Sequence, residues 1–338
     1  MDRITLHTPL DMHLHIRDGE MLREVVRYSS RYFSGGLIMP NTIPPITTKE
    51  DIFSYRKEIL NSIENDIFEP YMSIFFKSSY DSQFLKSVRD DILVVKLYPS
   101  GVTTNSDGGV VSVDLDEVGD TLSAMEQLDI PLSIHGETNG SVFEREAEFL
   151  PTYELLAKTF PKLRIIMEHI SDRRTIELLE KYSNLFATIT LHHLAITFDD
   201  LLGGALQPHL FCKPIVKSGK DRDALRDLVL NGHPKIMFGS DSAPHPKEKK
   251  ESSNGSAGIF SAPIVLQGLV ELFEKHDKLE NLQPFISENA RKIYRISPPQ
   301  KSITLVRKEF QVPTTYGEKI EIVPLFAGKK LNWSLEDV

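Results

Sequence analysis

The run Asp11-Met12-His13-Leu14-His15-Ile16-Arg17-Asp18 places two imidazoles two residues apart near the start of the chain. On a β-strand alternate residues share a face, so His13 and His15 can offer two nitrogen donors to one metal ion. A His-x-His pair arises often by chance and carries little weight alone. Four further groups change that weight. Lys96 in VVKLYP, His135 in PLSIHGE, His169 in IIMEHIS and Asp241 in MFGSDSAPH each end or closely follow a short apolar run that reads as a buried strand.

Each of these residues has an ordinary alternative. Lys96, after Val94-Val95, can snorkel its ammonium toward a strand end. His135 before Gly136 can cap a strand, and His169 after Glu168 can be a paired structural histidine. Asp241, flanked by Ser240 and Ser242, sits in a good helix-capping context. One metal centre accounts for all of them more economically than several independent accidents at one rim. It also explains the lysine. A protonated ammonium has no lone pair and is repelled by cations, whereas a neutral amine can add carbon dioxide to give an anionic carbamate with two oxygens. Nearby positive charge favours that neutral form, and the two oxygens can bridge two cations. His13, His15 and Asp241 would then serve one ion, and His135 and His169 the other. Imidazole and carboxylate donors without a thiolate suit zinc, with manganese or cobalt as possible substitutes.

The elements that must position these groups alternate along the chain. Strand-like runs fall near Pro9–His15, Gly36–Met39, Pro70–Phe76, Ile92–Leu97, Ile130–His135, Leu163–His169, Leu185–Leu191 and Lys235–Ser240, with helical stretches between them. That pattern predicts a parallel sheet, and eight strands is the number of a (β/α)8 TIM barrel, which typically needs about 250 residues. In such a barrel the strand ends converge on one mouth, so the candidate ligands would meet there. The chain has 338 residues. The excess falls in long loops and in a tail over 298–338, where Pro313, Gly317, Pro324 and Gly328 separate short β-like pieces and suggest an appended arm. No Gly/Ser-rich linker or solenoid repeat divides the sequence, so a single domain over 1–338 is expected. The loop from Pro99 to Gly109 is long for a βα connection and suits a lid or binding loop. The segment 247–258 has a charged half that reads as solvated surface and a Gly/Ser half that would let backbone approach a ligand.

Composition excludes other classes. Hydrophobic residues make up 40% of the chain, enough for a sizeable core. A net charge of -9 argues against a general binder of nucleic-acid backbones. One cysteine, Cys212, allows no internal disulfide and no thiolate zinc cluster, and fits a reducing compartment. No apolar leader segment and no run long enough to cross a bilayer is evident. A cytoplasmic protein with no membrane partner is expected.

DMHLHIRD, MPNTIPP, VVKLYP followed by TTNS, SIHGE, MEHIS, PHLFCKPI, GSDSAPH and KESSNGSAG together span nearly the whole chain. With these motifs the sequence resembles the dihydroorotase family of the amidohydrolase superfamily, in its shorter bacterial, PyrC-like type. The resemblance implies a TIM barrel, usually a homodimer, with two zinc ions per subunit bridged by a carboxylated Lys96. It implies interconversion of dihydroorotate and N-carbamoyl-L-aspartate in pyrimidine biosynthesis. Carried over by motif, the metal ligands are His13, His15, Lys96, His135, His169 and Asp241. Two departures stand out: Asn254 and Ser256 replace cysteines of some members, and Lys213 replaces an apolar residue whose backbone contacts substrate.

A small cyclic amide with a carboxylate needs cationic and amide donors beside the metals. Arg17 has a planar fork suited to a carboxylate, though an ion pair with Asp18 is its plain alternative. Asn41 and His245 are otherwise a turn residue and a loop histidine. The resemblance assigns all three to substrate binding, adds Thr103 and Thr104 from the long loop and Ala257 through its backbone, and extends to Lys213. Asp241 would act as general base and then acid. The remaining histidines read as structural: His7, His276, His233 and His209. His192-His193 ends the seventh predicted strand, where neighbours point to opposite faces, so at most one would face the mouth, as a supporting residue and not a ligand. Competing readings are a hydantoinase- or allantoinase-like cyclic amidase, a mononuclear deaminase and a non-catalytic scaffold on the same barrel. Arg17, Asn41 and the TTN loop favour a carboxylated ring, a bridging lysine has no task beside one metal, and a scaffold would have lost ligands.

Overall fold

The structure, a computed structural model, describes residues 2–336. Eight strands follow one another in a parallel sheet: β2 (Leu10–Leu14), β3 (Gly35–Ile38), β4 (Glu69–Phe75), β5 (Val94–Leu97), β6 (Leu132–Ile134), β7 (Ile165–Met167), β8 (Leu185–Ile189) and β9 (Ile236–Phe238). Each pairs in parallel with its sequence neighbour. Closure of the last gap is made just beyond the strands, where the Asp241 N–H donates to the His13 carbonyl at 2.9 Å and the His15 N–H to the Ser242 carbonyl at 3.1 Å. This is the predicted TIM barrel. All eight predicted strands form, most of them shorter than expected by one or two residues at an end.

A ninth and unpredicted strand precedes them. β1 (Arg3–His7) pairs antiparallel with β10 (Ser302–Gln311), which pairs with β11 (Lys330–Leu335). The C-terminal arm thus returns to the N-terminus as a three-stranded sheet. Trp333 of β11 is fully buried, and its indole N–H donates to Glu274 at 2.9 Å.

Strand alternation decides what fills the barrel. In β5, Val95 and Leu97 join the layer packed against the helices, while Val94 joins the interior cluster with Leu10, Met12, Leu37, Ile166 and Met237. Lys96 shares the parity of Val94 and so points inward above it. By the same rule Ser133 on β6 and His135 just after it, Glu168 after Ile166, and Thr188 on β8 form the next interior layer. β2 needs a device, because Leu10 and Met12 already point inward. A register shift between Asp11 and Leu14 changes the parity, so Leu14 and Ile16 pack outward while His13 and His15 face in. Gly239 has to lack a side chain: a Cβ there would lie 2.8 Å from that of His13.

Candidate active site

His13, His15 and Asp241 bring one donor atom each to within 4.8 Å of one another. His15 Nε2 lies 3.3 Å, and His13 Nε2 3.6 Å, from the same Asp241 carboxylate oxygen. His169 joins this group to His135: its ring centroid is 4.8 Å from that of His13, and its Nε2 is 3.1 Å from His135 Nδ1. Neither His169 nor Asp241 is placed by alternation alone. Both have left-handed backbones, with φ of 38° and 43°, an uncommon conformation for residues with a Cβ and one that marks functional strain. The turn at His169 sends its ring into the mouth just after Glu168 has taken the inward position.

Electrostatics suit the donor set to cations. Burial lowers the pKa of His13 and drives those of His15 and His169 well below the ordinary value, so the rings are neutral and carry lone pairs. Burial also raises the Asp241 carboxyl. It lowers the Lys96 ammonium to about 8. Lys96 is fully buried, its Nζ has no hydrogen-bond partner among the described residues, and it lies 4.9 Å from the Tyr98 ring centroid. A buried amine left unpaired is costly, and an anion-making modification with cations beside it would remove that cost. The residues present therefore fit two divalent ions.

Sequence reading overlooked the carboxylates behind the histidines. His13 Nδ1 donates to Glu168 at 2.7 Å, which leaves Nε2 with the lone pair. Glu168 also accepts from Ser133 and from Thr188, the latter at 2.5 Å. Burial alone would raise the Glu168 carboxyl, yet its pairing with His13, the Lys96 ammonium and the Ser133 hydroxyl hold it down at about 2. Glu137 plays the same part for His135, with 2.7 Å to Nε2, leaving Nδ1 turned to His169. Asp11 accepts from the Ser240 N–H at 2.7 Å, and its burial raises its carboxyl to about 7. The sequence signal was present: each carboxylate stands within two residues of a strand-end histidine.

A small cavity opens over this cluster. Its wall includes five of the six expected ligands together with Arg17, Asn41, Thr103, Thr104, Lys213, Ala257 and the unforeseen Tyr98. Lys96 lies beneath the wall and His245 behind it. Arg17, with φ of 60° and its carbonyl held by the Tyr55 hydroxyl at 2.5 Å, donates through Nε to the Pro244 carbonyl at 3.0 Å. The alternative reading, an ion pair with Asp18, is not found among the described ion pairs. Its Nη2 lies 3.0 Å from His245 Nε2, which is also 3.0 Å from the Ala257 carbonyl. That nitrogen can accept from Arg17 or donate to Ala257, not both, so a donor or an acceptor at this wall remains free for a ligand. Burial, with Arg17 adding, pushes His245 to about 3, which keeps it neutral.

One expectation fails on secondary structure. β8 stops at Ile189, and His192-His193 lie in a short helix, Leu191–Ala195, capped by the Thr190 side chain on the His193 N–H. The opposite-face argument does not apply there. Both rings are buried, their centroids 4.5 Å apart, and neither lines the cavity. Together with Cys212 they form a second trio of donor groups. His209 is held by Glu251 at 3.0 Å and His233 by Glu180 at 2.8 Å, as structural residues.

The amidohydrolase family model matches residues 9–299. Dihydroorotases of Helicobacter hepaticus and Helicobacter pylori are 46% and 47% identical over 99% of this chain and 98–99% of theirs. The crystal structure of dihydroorotase from Campylobacter jejuni superposes with a TM-score of 0.95 at 50% identity, covering 99% of this chain and 98% of that one. The dihydroorotase of Saccharomyces cerevisiae in complex with 5-fluoroorotic acid gives 0.92 at 32% identity over 99% of both chains. L-hydantoinase from Arthrobacter aurescens, 18% identical with a TM-score of 0.82 over 98% of this chain and 83% of that one, shares the fold. Full-length identity at this level, on a barrel whose mouth gathers the imidazoles and carboxylates described above, shows that the chain belongs to the dihydroorotase family of amidohydrolases.

Proposed function

We propose that the protein catalyses the reversible hydrolysis of dihydroorotate to N-carbamoyl-L-aspartate, a step of pyrimidine biosynthesis. Two zinc ions would be held by His13, His15, His135, His169, Asp241 and a carboxylated Lys96. The observation that carries this reading is the buried, unpaired Lys96 amine beneath a ring of neutral imidazoles. When bound, the cations acidify water and polarise the amide carbonyl.

The protein's own groups supply the rest. Arg17 and Asn41 take the ring carboxylate, with His245 and the Ala257 backbone orienting it. The pyrimidine carboxylate in the solved yeast relative has the same chemistry. The Asp241 carboxylate removes the proton of the attacking water and returns it to the ring nitrogen as the amide C–N bond breaks. In the reverse direction it takes the ureido N–H proton as the C–N bond forms and hands it to the oxygen that leaves the carboxylate carbon. Thr103 and Thr104 cover the substrate. The chain works as one unit with 298–338 as an arm, as a cytoplasmic homodimer acting on a small molecule. The single buried cysteine fits a reducing compartment, and no helix among the described residues is long and apolar enough to cross a membrane.

Metal analysis coupled to a dihydroorotate assay tests the reading, with hydantoin as the competing substrate. Two equivalents of zinc and selective hydrolysis of dihydroorotate are expected. Lys96→Ala should lose at least one equivalent, and a short carboxylic acid should restore part of the activity. Full activity with both metals in that variant would remove the bridging role.

A further inference from the structure

The Lys213 side chain lines the cavity and reaches the loop at its rim. Its Nζ donates to the Val102 carbonyl at 2.6 Å, although 111 positions separate the two residues. Val102 is fully buried, and its loop carries Thr103 and Thr104 in the cavity wall. On another side the same loop is tied to Asn41, whose side-chain amide donates to the Thr104 carbonyl at 3.0 Å. Asn105 returns a bond to the Asn41 carbonyl at 3.0 Å. The loop is therefore held from two separate parts of the barrel rim, one after β3 and one after β8.

The base under Lys213 is fixed. The Pro214 carbonyl next to it accepts from His193 Nε2 at 3.1 Å and from the Cys212 thiol at 3.2 Å. Those bonds immobilise the backbone from which the lysine extends. Reach explains the residue type: four methylenes carry a donor to the loop, and an apolar side chain there would leave the Val102 carbonyl without this partner. Lys213 is about half buried, and burial lowers its pKa, so the bond replaces lost water.

We propose that Lys213 is a positioning residue that latches the 99–110 loop over the cavity and keeps Thr103 and Thr104 in its wall. This rests on the reading that the cavity takes the substrate. The test compares the metal-loaded wild type with Lys213→Met, which keeps the stem and loses the donor, and with Lys213→Arg, which keeps a donor. Thermal melting serves as the check on folding. In the free protein, amide hydrogen exchange over 100–110 should rise several-fold in the Met variant and return toward wild type in the Arg variant. The KM for dihydroorotate should rise roughly threefold to tenfold in the Met variant, as expected for one hydrogen bond, with kcat less affected. Unchanged exchange would overturn the latch, even with a raised KM, because Lys213 would then touch substrate directly. Faster exchange with an unchanged KM would overturn the positioning role. A wild type that fails to hydrolyse dihydroorotate would sink the functional reading, and the exchange comparison would still decide the latch.

Discussion

Two buried histidine clusters lie in this barrel, and they differ in where their lone pairs go. At the mouth, Glu168 accepts a hydrogen bond from the Nδ1–H of His13 and Glu137 one from the Nε2–H of His135, so the other nitrogen of each ring faces the imidazole cluster. In the second cluster His193 has no spare nitrogen, since Nδ1 faces the Thr190 hydroxyl at 3.0 Å and Nε2 donates to Pro214, and only its neighbour His192 keeps both ring nitrogens without a partner among the described residues. Cys212 spends its proton on the same carbonyl. Metal-ligand potential is thus set less by residue type than by what holds the far side of each ring. A carboxylate behind a histidine frees a donor; a carbonyl in front of it consumes one.

The sharpest way to break this contrast acts on the mouth itself. Asp241→Asn keeps size and one oxygen donor but cannot accept and return a proton. Rates in both directions should fall together by about 10²–10⁴, and the acidic limb of the pH–rate profile should vanish, with zinc content measured on the same sample. Wild-type rates with the limb intact would assign the proton to another group.

Glu168→Gln tests the carboxylate behind His13. The amide keeps the volume while removing the charge that fixes the ring, and metal affinity should fall by about 10–100-fold. Competition with a chelator reads this directly. Unchanged affinity would mean that barrel packing alone orients His13. Arg17→Met leaves both histidine sets intact and should raise the KM for dihydroorotate by roughly tenfold to a hundredfold, the effect of about 1.5–3 kcal/mol for a charged hydrogen bond. Zinc content should not change. An unaltered KM would place the substrate carboxylate elsewhere.

What the sequence could disclose follows the same division. Strand identity and the gathering of these side chains at one mouth were legible because short apolar runs ending in His, Lys or Asp report a rim directly. The strand β1 was not, since Arg3–His7 is largely exposed and gains its pairing from β10, about three hundred positions away. The parity change in β2 and the left-handed turns at His169 and Asp241 were also hidden, because neither leaves a mark on periodicity. His192-His193 misled for a related reason: extending β8 by two residues assigned faces that a helix does not have. Glu168 and Glu137 were visible in MEHIS and SIHGE, but their role depends on which nitrogen each ring presents, which only three-dimensional neighbours decide.

The smallest expected effect belongs to the second cluster. Burial pushes the Cys212 thiol up to about 12, so it stays protonated and donating through the neutral range. Cobalt-loaded protein should therefore show no sulfur-to-metal charge-transfer band, and the metal count should stay at two in Cys212→Ala. That substitution removes one donor from the Pro214 carbonyl, which still accepts from His193. The carbonyl is not stranded, so the expected cost is about 1 kcal/mol of stability, seen in thermal or denaturant unfolding. Activity should stay close to wild type. A charge-transfer band that disappears in Cys212→Ala, together with a third metal equivalent in the wild type, would mean that the thiol and His193 release Pro214 to bind an ion. The contrast between consumed and available lone pairs would then fail at its weaker end.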